Sequence, residues 1–416
     1  TIKKITENFT MNYIDLFAGA GGLSEGFKRA GFNPIAHVEM NSHACNTIKT
    51  RMAYYHLKDN NKENIYLEYL KQNIDQKTLW ESVPNEILNT VINTEISDKT
   101  IKDIFSKIDN LKESKNVDLI IGGPPCQAYS IVGRARDPKG MADDPRNHLY
   151  LHYVQFLKKY KPKMFVFENV PGILSTKNGE FLEKIKEAID KAGYNVEHKT
   201  LTSKDFGVLQ NRRRVILIGW KKSKKLEYPT FDKFPFQAEI MNDLFYDLPK
   251  LKPGEEKAPA KYTKPINEYL NLSKIRNGID FTTQHVARFN NVRDLEIYRI
   301  AIDLWVNKGK RLSYANLPDK LKTHKNETAF LNRFQVVDPK GVSHTVVAHI
   351  SADGHYYIYP DLKQVRSISV REAARIQSFP DDFFFEGGRT AAFKQIGNAV
   401  PPLMAEGIAN KIKEMI

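Results

Sequence analysis

Over the first 230 positions the apolar residues fall into short runs, separated by stretches with a helical period. Tyr13-Ile14-Asp15-Leu16-Phe17 leads into Ala18-Gly19-Ala20-Gly21-Gly22, and a helical pattern opens at Leu23. This reads as strand, glycine turn, helix. Pro34-Ile35-Ala36-His37-Val38 predicts a second strand, closed by Glu39. Similar runs return at 117–121, 164–167, 195–200 and 215–218, with helical patterns over 147–160 and 179–192. Unbroken apolar runs suit strands buried on both faces. Repeated βα units predict an α/β fold, a parallel sheet with helices on both sides.

Two stretches break this rhythm. Residues 55–115 are rich in Lys, Asn, Asp and Glu, with apolar residues at helical spacing. They predict a helical insertion on the surface. From Lys221 to about Lys340 the βα alternation stops, and prolines, lysines and aromatics are scattered, as in Phe234-Pro235-Phe236. A second, smaller, irregular domain is expected there. Ser369-Val370-Arg371-Glu372 has the form of a capping box opening a helix that runs to Ser378. Beyond Asp381 the chain is expected to return to the first domain. The resulting division is 1–228 (with the insertion at 55–115), 229–383 and 384–416.

Composition narrows the chemistry. The 416 residues carry a formal net charge of +14, which favours a polyanionic partner, most simply nucleic acid. No run of about 18 apolar residues occurs, so no membrane helix is expected. The opening Thr1-Ile2-Lys3-Lys4 lacks the apolar stretch of a signal peptide. The two cysteines, Cys45 and Cys126, offer neither a disulfide framework nor zinc spacing, and a reducing cytosol is expected.

Cys126 stands in Gly122-Gly123-Pro124-Pro125-Cys126-Gln127, just past an apolar strand. Open α/β sheets place ligand chemistry at such strand ends. Prolines fix the backbone ahead of the thiol, as a nucleophile would require. A buried, inert cysteine is the commoner fate and stays open on this loop alone. Phe165-Val166-Phe167-Glu168-Asn169 brings a carboxylate to the same edge, where it can act as an acid or simply cap a turn. Arg212 and Arg214 precede another strand with alternate spacing, which predicts a shared face for a phosphate or a base carbonyl. Gly19, Gly21 and Gly22 open a helix N-terminus, and Glu39 can meet ribose hydroxyls. Together these suit a cofactor containing adenosine, although the full dinucleotide fingerprint is absent.

These segments, in order, resemble the DNA (cytosine-5)-methyltransferases of bacterial restriction–modification systems. The resemblance implies a Rossmann-like S-adenosylmethionine sheet with an irregular target-recognition domain. It implies Cys126, Glu168, Arg212 and Arg214 as catalytic. It implies cofactor contacts at Phe17, Gly19, Gly21, Gly22, Glu39, Met40, Asp103, Ile104, Pro124, Leu149, Asn398 and Val400. Met40 departs from the pattern, which often has a large aromatic there. Arg371 to Gln377 and Gly397 to Pro402 match two further motifs. The expected partner is duplex DNA, with no metal and no membrane. A monomer in the bacterial cytosol is expected, with any cognate restriction endonuclease acting separately. Arg288, Asn290, Asn291, Arg293, Asn332 and Arg333 have the chemistry to read bases or phosphates, or to stay solvated. A similar scaffold acting on cytosine in RNA, a DNA-binding protein with a dead site and a cysteine hydrolase are the rival readings.

Overall fold

The computed structural model describes residues 11–125, 148–323 and 328–416. Its strands are β1 (Asn12–Leu16), β2 (Asn33–Glu39), β3 (Val91–Asn93), β4 (Leu119–Gly122), β5 (Met164–Asn169), β6 (Tyr194–Thr202) and β7 (Arg213–Lys221). They form one sheet in the order β3-β2-β1-β4-β5-β7-β6. The first five strands are parallel to one another, while β7 runs antiparallel to both β5 and β6. The cause lies in the connections. Parallel strands need a crossover of about a dozen residues or more, whereas residues 203–212 allow only a return beside β6.

Helices cover both faces. α6 (Ile101–Lys112), α7 (Leu149–Tyr160) and α8 (Glu180–Lys191) lay Ile104, Ile108, Phe156, Ile185 and Ile189 against Ile14, Leu16 and Phe165. On the other face α1 (Gly22–Arg29) and α13 (Pro402–Met415) bring Phe27, Met404 and Ile408 to Tyr13, Ile121 and Ile218. Gly22 is required at the start of α1. A Cβ there would lie 2.3 Å from the carbonyl oxygen of Val400, so the chain end presses directly on the glycine turn.

The insertion departs from expectation. Residues 55–115 hold α3 (Glu63–Leu70), α4 (Gln76–Glu81) and α5 (Asn85–Asn89), but also the edge strand β3 and the core helix α6. β3 is only three residues long, too short for a periodic signal to stand out of a polar stretch. The added helices pack on α2 (Ser42–Asp59) and reach Ile279, Phe281 and Phe384 from the later part of the chain.

The irregular region contains short elements and two cores. One gathers Ile297, Tyr298, Leu312, Phe334 and Ile358. The other joins Ile240, Leu244, Tyr269 and Ile350 to α11 (Val370–Ile376) and α12 (Gly388–Asn398), and takes in Ala20 and Leu209 from the first domain. The return to the sheet is completed by α13. Among the described helices none is long and apolar enough to cross a membrane.

Candidate active site

The C-terminal ends of β1, β2, β4 and β5 and the start of the antiparallel β7 meet at one edge. At the end of β1, Phe17 takes a φ of 57°, unusual for an aromatic residue, and turns the chain into the glycine loop. Glu39 at the end of β2 spans this turn. One carboxylate oxygen accepts from the Gly19 amide at 2.8 Å and the other from the Asn41 amide at 2.8 Å. Met40 next to it is exposed.

Asp15 is 1 % exposed, and neither carboxylate oxygen has a hydrogen-bond partner. Burial, and then the charge of Glu39, push its pKa well above the ordinary carboxylate range. An unsatisfied buried acid beside a glycine turn is costly unless a cation or a donor joins it. The arrangement thus fits a cationic ligand carrying ribose hydroxyls for Glu39. Asp15 stands inside the first predicted strand, and one polar residue in an apolar strand carries no signal of its own there.

Glu168, near the end of β5, pairs with Arg214 at 2.6 Å between Oε1 and Nε. A Cβ on Gly123 would lie 2.5 Å from Glu168 Oε2, so the carboxylate overhangs the strand end that leads to Pro124 and Pro125. Asn169 is buried and donates to the Pro124 carbonyl at 3.5 Å. Cys126 lies outside the described residues.

Arg212 and Arg214 do not do the same work. Arg212 is fully buried and donates to the carbonyls of Val346 at 2.7 Å and Gly397 at 3.3 Å. Burial, and then the nearby charge of Arg214, lower its pKa well below the usual guanidinium range. Gln210, whose role the sequence did not show, donates to Gln377 at 2.8 Å and accepts from the Val346 amide at 2.8 Å. Such a buried polar clamp joins segments over 130 positions apart, a pairing no local pattern contains.

Asp103 and Ile104 are not placed as the resemblance implied. Asp103 lies in the first turn of α6 and pairs with Lys107 at 2.7 Å, while Ile104 is wholly in the core. From the end of β3, Asn93 donates through its side-chain amide to the carbonyls of Glu39 and Met40, and the Thr94 backbone amide donates to the Glu39 carbonyl. Leu149 begins α7, half-buried; Asn398 is exposed and Val400 buried at the turn beside Gly22.

The C-5 cytosine-specific DNA methylase family model matches residues 11–84 and 77–414. The chain belongs to that family. It is a DNA (cytosine-5) methyltransferase. A type II methyltransferase of Bacillus paralicheniformis, M.Bpa9945I, is 45 % identical, with 98 % of this chain and 99 % of that protein covered. M1.HphI of Haemophilus parahaemolyticus is 30 % identical over 98 % of this chain and 87 % of its own. Among solved structures, a chain named as a DNA modification methyltransferase encoded within an Escherichia coli prophage superposes with a TM-score of 0.65 at 25 % identity, covering 98 % of this chain and 99 % of that one. The Entamoeba histolytica methyltransferase EhMeth shares the fold, with a TM-score of 0.52 at 17 % identity over 98 % of each chain. The α/β sheet of this methyltransferase is accordingly Rossmann-like.

Proposed function

We propose that this methyltransferase moves a methyl group from S-adenosylmethionine to carbon 5 of a cytosine flipped out of duplex DNA, through a covalent adduct with Cys126. The observation that carries the reading is the Glu168–Arg214 pair, set against the strand end that leads into Pro124-Pro125-Cys126. Carbon 5 of cytosine is a poor nucleophile. Addition of the thiolate to carbon 6 turns the ring into an enamine and makes carbon 5 reactive, a case of covalent catalysis. Glu168 holds the ring N3 and amino group of the flipped base. Arg214 donates to the O2 carbonyl as charge builds there. Arg212 serves behind it, seating the recognition segment at Val346.

S-adenosylmethionine supplies an electrophilic methyl on a positive sulfur. Phe17, Gly19, Gly21, Gly22, Glu39 and Met40 would hold it, with Asp15 facing its positive charge. After methylation a base, relayed by water, removes the carbon 5 proton and the thiolate leaves, restoring the ring and Cys126. Flipping the base costs a few kcal/mol. The net charge of +14 offsets part of this through phosphate contacts. The relatives' names as type II methyltransferases support a place in restriction–modification, with a cognate endonuclease acting separately. Their bacterial sources support a cytosolic setting.

Duplex DNA with 5-fluorocytosine at the target should trap a covalent complex, because fluorine cannot leave as a proton does. Cys126→Ser should abolish both trapping and methyl transfer while DNA binding persists. An active serine variant, or transfer to transfer RNA in preference to duplex DNA, would overturn this reading.

A further inference from the structure

The parallel strands β4 and β5 end at the catalytic edge and begin at the opposite one. The antiparallel β7 runs from Arg213 at the first edge to Lys221 at the second. At about 3.3 Å per residue, the length of β7 sets the two edges roughly 26 Å apart. Lysines occupy the far edge. Lys163 precedes β5 and Lys221 closes β7 beside it, where the Lys221 amide donates to the Lys163 carbonyl at 3.3 Å. The Lys222 amide donates to the Gly193 carbonyl at 3.0 Å, which brings in Lys191 at the end of α8. On the other side, the Lys163 amide donates to the Asp118 carbonyl at 2.9 Å, just past Lys115. The strands β4, β5, β7 and β6 are neighbours in that order, so Lys115, Lys163, Lys221 and Lys191 form a row about 14 Å wide.

The segments at this edge, 109–118, 158–163, 190–193 and 221–225, hold eleven lysines against four acids. Half of the chain's formal net charge of +14 thus stands on 25 of its 416 residues. Helix ends account for part of it. α6, α7 and α8 all finish here, and a cation at a helix C-terminus is stabilising, which suits Lys112, Lys158, Lys159 and Lys191. Lys221, Lys222, Lys224 and Lys225 close a strand and have no helix end to serve. Lys161 is exposed and takes a φ of 46° at the end of α7, a position that favours glycine. The Tyr194 hydroxyl donates to the Pro162 carbonyl at 2.8 Å and fixes this loop to the sheet. Three of the acids are spent: Asp109 on Lys159, Asp118 on Lys163 and Asp190 on Lys222. Among the described residues no carboxylate pairs with Lys115, Lys158, Lys161, Lys191, Lys224 or Lys225.

We propose that this row is a second, sequence-independent site for duplex DNA, holding a segment other than the one whose cytosine enters the catalytic edge. The proposal rests on duplex DNA as the substrate and not on the Cys126 adduct. Lysine offers a point charge without the planar fork that reads a base edge. The one aromatic residue in these segments, Tyr160, is half-buried, so phosphates are met and bases are not stacked. The substrate of a DNA methyltransferase is itself a long polyanion, and two edges facing away from each other meet two different stretches of it. Such a site keeps the enzyme on DNA while the catalytic edge releases one stretch and samples another.

The test uses a variant with Lys158→Gln, Lys161→Gln, Lys191→Gln, Lys224→Gln and Lys225→Gln, beside wild type and a control with arginine at the same positions. The cognate sequence is first read by conversion sequencing of DNA methylated by the wild-type enzyme. The catalytic edge is then saturated with a short cognate duplex and S-adenosylhomocysteine. A second, fluorescent duplex without the target sequence is titrated in, and its anisotropy is followed between about 50 and 200 mM salt. Wild type and the arginine control should bind it with a log–log salt slope of about −4 to −5, as for five phosphate contacts. The glutamine variant should bind it at least about tenfold more weakly at the lowest salt, with a slope near zero. Its methyl transfer to the short cognate duplex should stay within about twofold of wild type, and its melting temperature should not change. No binding of the second duplex by wild type, or equal binding by the glutamine variant, would overturn the proposal. So would capture of phosphatidylserine vesicles in place of the duplex, or a loss of methyl transfer on the short duplex as large as the loss in binding. Failure of wild-type enzyme to methylate any duplex would instead overturn the reading on which this rests.

Discussion

Glu168 and Arg214 illustrate how a pair of side chains divides a task. Their 2.6 Å contact sets an acceptor beside a donor, which the proposed mechanism directs to the cytosine amino face and to O2. Glu168→Gln keeps the shape but loses the charge. Turnover should fall by at least about a hundredfold, the lower end for acid–base groups, with S-adenosylmethionine affinity near wild type. Isothermal titration and single-turnover rates separate the two, and a change confined to cofactor affinity would contradict this placement. Asp15 is the opposite case, a buried acid whose cost is visible without its partner. Its folded pKa lies above the unfolded value, so the folded state gains from protonation at low pH and loses that gain as pH rises through the folded pKa. Asp15→Asn should therefore raise the melting temperature of the ligand-free protein at pH 7, with the gain shrinking toward pH 4. It should also weaken S-adenosylmethionine binding. A variant less stable at pH 7 than at pH 4, relative to wild type, would refute the argument.

At the scale of elements, α11 is the most heavily determined helix. Its capping box is complete: Ser369 accepts from the Glu372 amide and the Glu372 carboxylate accepts from the Ser369 amide at 2.6 Å. Arg366 pairs with Glu372 through two contacts of 2.7 Å, and Arg375 joins Asp381 and Asp247, all fully buried. Burial would raise the pKa of Asp381, but Arg375 and Arg371 outweigh it and hold that carboxylate low. Removing one partner of a buried pair strands the other. Glu372→Gln should cost about 3–5 kcal/mol in urea unfolding, against about 1 kcal/mol for Ser369→Ala. Equal losses for the two would show that the cap, not the ion pair, dominates. The box was legible in the sequence because its residues are three apart. The arginines' partners were not, because Asp247 lies 128 positions from Arg375.

The whole molecule is held together across its two parts. Val346 accepts from Arg212, and its amide donates to Gln210, beside the strand that carries Arg214. The added helices brace the other flank: the Tyr66 hydroxyl donates to the Asp382 carbonyl at 2.7 Å and the Tyr69 hydroxyl to Glu386 at 2.8 Å. The insertion thus has a structural account that needs no part in target choice. Replacing residues 250–340 with the segment of a relative of different specificity should change which cytosine is methylated, while 5-fluorocytosine trapping by Cys126 survives. An active chimera that kept the original target would move recognition elsewhere, with the insertion at 55–115 the next candidate. The sequence by itself determined what is local: the long strands and their edge, the glycine turn, the capped helix and the order of the motifs. Each depends on residues a few positions apart, where period and turn chemistry act directly. Only the tertiary structure decided that β7 runs antiparallel, that Val91–Asn93 joins the sheet, and that Arg212 is spent on carbonyls while Arg214 meets Glu168. Those choices depend on which distant backbone and charge each side chain meets once the chain is closed, and burial then makes every unmet polar group costly.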